Sequence, residues 1–102
     1  MVEMEPVVVD GRVAATAVTV HLPRTTLVVA ATAHGYVMCG ALDVRLLDER
    51  LGERRIVAAR VVGARNVADL LALPVDDVTA AAVERGVVRG MTGREALARM
   101  GV

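Results

Sequence analysis

The chain has 102 residues, twelve Arg against twelve Asp plus Glu, a formal net charge of zero and a single aromatic residue, Tyr36. It has no net field to gather polyanions and almost nothing on which bases could stack, so composition argues against a nucleic-acid partner. The length suits one domain, residues 1–102, with a core of its own, and the lone Cys39 excludes an internal disulfide framework.

Hydrophobic residues make up 55% of the chain although Phe and Trp are absent, so the core is built from Val, Leu, Ala and Met. That is more apolar surface than a small domain hides, and it points to a homo-oligomer. The opening Met1-Val2-Glu3-Met4-Glu5-Pro6 lacks the basic segment of a secretory leader. No apolar run approaches the ~20 residues that cross a bilayer. The expectation is a soluble, cytoplasmic protein with no membrane partner.

Pro6 to Val9 reads as a short strand, and Asp10-Gly11 as a hairpin turn into a second strand, Arg12 to Leu22. Pro23-Arg24 turns the chain into Thr25 to Thr32, and Ala33-His34-Gly35 turns it into Tyr36 to Cys39. After Cys39 the period becomes helical: Val44, Leu47 and Leu51 share a face, with Leu42 and Leu46 beside it and Gly52 as a stop. Ile56 to Val62 is a strand again, and a right-handed crossover sets it parallel to the strand ending at Cys39. Asn66 caps a short helix that ends before Pro74. Asp76 or Asp77 opens another, running to Arg85. Thr92-Gly93-Arg94-Glu95 has capping-box spacing ahead of a last helix. The predicted class is α+β: an N-terminal antiparallel meander, one strand-helix-strand crossover, then short C-terminal helices packed on the sheet.

A two-residue Pro23-Arg24 loop sets Leu22 opposite Thr25, Val20 opposite Leu27 and Val18 opposite Val29, while Met38 faces Ala31 across the next turn. These large residues form the expected core face. The other face carries Ala15, Ala17, Thr19, His21, Thr26, Val28, Ala30, Val37 and Cys39, and is small and semi-apolar.

The crossover makes Cys39-Gly40 a neighbour of Gly63-Ala64-Arg65-Asn66, at the carboxyl ends of parallel strands where open sheets tend to bind ligands. Both segments are strand-to-helix turns with free backbone N–H groups suited to an anion. Gly40, Arg60, Gly63, Arg65 and Asn66 are therefore the candidate ligand-binding residues, and Arg24 adds charge from the preceding loop. Cys39 is the candidate nucleophile, with His21 or Asp43 to handle protons. His34, about 16 Å along the strand from Cys39 at ~3.3 Å per residue, is set aside. Each of these residues also has a plain structural use. Cys39 can be core packing, Asp43 a helix-start residue, and Arg60 half of an ion pair with Glu53 or Asp43. There is no Cys/His metal spacing and no glycine-rich cofactor motif, so no metal is expected and no cofactor is named.

Leu22-Pro23-Arg24-Thr25-Thr26-Leu27, Gly35 to Val44 with its Cys39-Gly40-Ala41-Leu42-Asp43 centre, Glu53-Arg54, and Ala58-Ala59-Arg60-Val61-Val62-Gly63 together resemble the YunC-like family of uncharacterised small proteins. Gly90 to Leu97 resembles that family's ending. The resemblance implies a small α+β domain with weight on the Cys39 region, and implies no reaction. Three readings stay open: an oligomer binding a small anion near Cys39, a cysteine-dependent enzyme, and a structural or regulatory interaction module docking through the Ala17 and Val28 face.

Overall fold

The computed structural model describes residues 1–11, 13–40, 49 and 54–101. The helix expected between Leu42 and Leu51, and Asp43 with it, falls outside the described residues except for Glu49. The rest is an α+β arrangement around one six-stranded sheet in sequential order. Its strands are β1 (Val2–Val8), β2 (Ala14–Leu22), β3 (Thr25–Ala31), β4 (Tyr36–Cys39), β5 (Ala58–Val61) and β6 (Asp77–Val78). The first four form the expected antiparallel meander, but Met38 pairs with Val29 and not with Ala31, because the β3–β4 turn spans the four residues 32–35 and shifts the register by two. β4 and β5 are parallel, in the sense the crossover predicts, and β6 returns antiparallel.

Two differences from the sequence reading go beyond a residue or two at an element's end. β1 begins at Val2, not Pro6; as the edge strand it tolerates a proline that lacks a ladder donor. Asp77 does not open a helix. It pairs with Arg60 in the sixth strand, and the cap passes to Thr79. Carboxylates at such a position serve a cap or a strand edge equally well, and the partner strand decides.

Among the described residues three helices accompany the sheet: α1 (Val67–Ala72), α2 (Ala80–Glu84) and α3 (Gly93–Met100). Each starts on a side-chain cap. Asn66 accepts from the Asp69 N–H, Thr79 from Ala82 and Thr92 from Glu95, the last inside a complete capping box. Such caps satisfy donors that a helix's first turn leaves open.

The core lies on the face opposite the one expected. Ala15, Ala17, Val28, Ala30, Val37, Cys39, Ala59 and Val61 are buried, in one cluster with Leu70, Ala82, Leu97 and Met100 of the helices. Val18, Val20, Val29 and Met38 are only half-buried. The inversion has a packing cause: small strand residues let helices sit close, and the bulk is supplied from the helices. The approach is tight at α1 and α3, where a Cβ added to Gly93 would stand 1.8 Å from the Leu70 carbonyl oxygen. The Ala17 and Val28 face is therefore covered by the chain's own helices and is not an open interface.

Candidate functional site

Three chain segments meet at one end of the sheet. Cys39 closes β4 beside Val61 of β5, so the turns following both strands leave from the same edge. β3 runs antiparallel to β4, and the register Val29 to Met38 carries its first residues, Thr25 and Thr26, to the same edge. The Pro23-Arg24 loop lies there too, two residues long as Leu22 pairs with Thr25.

Between them is a cleft of about 480 Å³, walled by Arg24 to Leu27 on one side and by Cys39, Gly40 and Gly63 to Arg65 on the other. Gly63 has φ +88, a left-handed backbone that a side chain would strain. Gly40 is different: a Cβ there would meet only Val62 Cα, at 3.8 Å. Arg24 also adopts a left-handed conformation, φ 62, after a proline whose ring fixes the preceding φ negative, which is the order a type II turn uses.

The charge on the cleft is one-sided. Arg24 and Arg65 line it, no described lining residue is acidic, and neither guanidinium has an ion-pair partner among the described residues. Cys39, 5% exposed and part of the core cluster, also lies in the wall. Thr25 and Thr26 line the cleft as well. Sequence reading did not single out these threonines, although the hairpin arithmetic that moved Arg24 to this edge moves them with it.

The remaining candidates disperse. Asn66 is close by in sequence, but its side-chain oxygen accepts the Asp69 N–H at 2.8 Å and holds the start of α1. Arg60 lies on the other face of β5, where its guanidinium pairs with Asp77, itself 3.7 Å from Arg89. The expected partners Glu53 and Asp43 lie outside the described residues. His21 is exposed and sits 2.6 Å from Glu3 across the β1–β2 pair. It is two strands from Cys39, about 10 Å at ~4.8 Å per strand, and does not line the cleft. His34 is in the β3–β4 turn at the far end of the sheet.

Among the described residues no group of three or more His, Cys, Asp or Glu is placed to hold a metal ion. None of the described helices is long and apolar enough to cross a membrane. The arrangement gathers two arginines, two threonines, a cysteine and turn backbone around one cleft, residue types that can donate to an anion with one nucleophilic side chain among them.

Comparison with known proteins places the fold and leaves the chemistry open. Uncharacterized protein YunC of Bacillus subtilis (strain 168) is 52% identical over 100 residues, 98% of either chain. The crystal structure of a protein of unknown function, TA1206 from Thermoplasma acidophilum, shares the fold with a TM-score of 0.86 at 23% identity, covering 99% of this chain and 94% of that one. Residues 38–100, from the end of β4 through α3, match the family described as a domain of unknown function, DUF1805. With that match over more than half the chain and a relative of such identity along nearly all of it, this protein belongs to the DUF1805 family.

Proposed function

We propose that this protein binds a small anionic ligand in the cleft beside Cys39, and that it does so as a cytoplasmic homo-oligomer. The observation that carries the reading is the pair Arg24 and Arg65, two arginines lining one cleft with no acidic residue on its described walls. A guanidinium binds carboxylate or phosphate through paired N–H donors, and two converging from separate segments select for an anion small enough to touch both. Titration calorimetry with inorganic phosphate, sulfate and a small carboxylate tests it. Binding of at least one of them, weakened in Arg24→Ala and Arg65→Ala, is the expected result. No heat with any of them, under conditions where the protein is folded, overturns it.

The position of Cys39 on the same wall favours a second reading, in which the Cys39 thiolate bonds to an electrophilic ligand held by the arginines as that ligand's bond to its leaving group breaks and the group departs with the electron pair. Its mark is fast, selective alkylation of the native protein at neutral pH, slowed by a bound anion. A thiol that reacts only after denaturation belongs to the core.

A further inference from the structure

The cleft beside Cys39 is larger than a simple anion needs. Inorganic phosphate has five heavy atoms and takes the room of roughly three waters, about 90 Å³ at ~30 Å³ each. The cleft measures about 480 Å³, inside the range of roughly 300–1,000 Å³ usual for small-molecule sites. Its two arginines set the charge to be matched. With Arg24 and Arg65 on the lining and no acidic residue on the described walls, a dianion balances them, and a phosphate monoester carries about −1.5 to −2 at neutral pH.

The rest of the lining bears on the organic part of the ligand. Thr25 and Thr26 stand with Leu27 and Ala64, a mixture suited neither to a long alkyl chain nor to a flat ring. The cleft has no aromatic residue on which a base could stack, because Tyr36 is the one aromatic in the sequence and it belongs elsewhere. It opens β4 three residues before Cys39, about 10 Å away at ~3.3 Å per residue, and lines a separate hollow with His34 and Ile56. We infer that the cleft takes a phosphate monoester with a small, saturated, hydroxylated body, of the size of a sugar phosphate. The arginines hold the phosphate, and the hydroxyls of the body exchange hydrogen bonds with the threonines and the turn backbone. This inference deepens the anion reading proposed above and rests on it.

The test is calorimetric titration of the full chain with inorganic phosphate, ribose 5-phosphate, adenosine monophosphate and succinate, with circular dichroism to confirm folding. Ribose 5-phosphate binds roughly tenfold or more tighter than inorganic phosphate, and the adenine ring of the nucleotide adds less than about threefold. Gly40→Val gives a second readout. A Cβ at Gly40 meets Val62 Cα at an ordinary 3.8 Å, so the fold has room for it, while the larger side chain takes space from the cleft wall. There ribose 5-phosphate loses severalfold more affinity than inorganic phosphate does. A smaller advantage for the sugar phosphate with inorganic phosphate still bound, or equal losses in Gly40→Val, overturns the organic body and leaves the anion reading standing. A nucleotide that binds tighter than that limit overturns the saturated body, and succinate tighter than ribose 5-phosphate overturns the phosphate. No heat from any of the four overturns this inference and the anion reading together.

Discussion

Thr79 and Ala58 are bound to each other twice: the Thr79 N–H donates to the Ala58 carbonyl at 3.0 Å, and the Ala58 N–H donates to the Thr79 hydroxyl at 3.1 Å. The same hydroxyl accepts from Ala82 at 3.2 Å and donates to Ile56 O at 2.7 Å, so its capacity of two acceptor sites and one donor is filled. One fully buried side chain thus joins β5, the β6 exit and the start of α2.

Replacing Thr79 by Val keeps the shape and removes all three side-chain bonds, leaving buried N–H groups at Ala58 and Ala82 unpaired. A loss of about 2–4 kcal/mol is expected from denaturant unfolding, since each orphaned buried group costs ~1–3 kcal/mol. Thr79→Ser keeps the hydroxyl and should recover most of it.

A second stability test uses two glycines in opposite surroundings. A Cβ at Gly93 would overlap the Leu70 carbonyl, whereas one at Gly11 has nothing within 4 Å. Gly93→Ala must push α3 away from α1 and should cost roughly 1–3 kcal/mol, the usual scale for overpacking. Gly11→Ala should stay within about 0.5 kcal/mol of wild type. Equal thermal shifts for the two would contradict the packing described.

The β2–β3 register was legible because one turn is short and chemically marked, whereas the four-residue turn 32–35 sets Met38 opposite Val29, not opposite Ala31 as a two-residue turn would. Pro23-Arg24 fixed β2 against β3, and the helical period after Cys39 predicted the parallel β4–β5 pair, which together locate the cleft edge. The core face was not legible. The alternation separates Ala17, Val28 and Ala30 from Val18, Val20 and Val29, but which set is covered depends on where the helices dock, and residue size pointed the wrong way. Arg60 was misplaced by a related gap. Parity along β5 puts it on the face away from Cys39, and its partner Asp77 stands in a two-residue strand too short to show a period.

That placement makes Arg60 a control for the cleft. Its guanidinium and the Asp77 carboxylate are about one-third exposed, 32% and 29%, so the pair is partly screened. Arg60→Ala should lower stability by about 1–2 kcal/mol, between exposed and buried pairs. Phosphate affinity, read by titration calorimetry, should be unchanged. A drop equal to that of Arg65→Ala would mean that the ligand site reaches the other face of the sheet.

Arg24 offers the sharpest separation between stability and binding. It holds a left-handed φ of 62 that glycine adopts without steric cost, and it does so at the mouth of the cleft. A non-glycine residue there costs on the order of 1 kcal/mol, and such positions are where a fold gives up stability for a placed side chain. Arg24→Gly should therefore raise the unfolding free energy by up to about 1 kcal/mol. The same change should weaken phosphate binding by roughly tenfold or more, the loss of one charge-assisted contact. Arg24→Ala is the comparison, because it loses the guanidinium and keeps the strained backbone: affinity should fall as far, with no gain in stability. If Arg24→Gly proves more stable and binds phosphate as well as wild type, the arginine is a turn residue only, and the anion reading would rest on Arg65 alone.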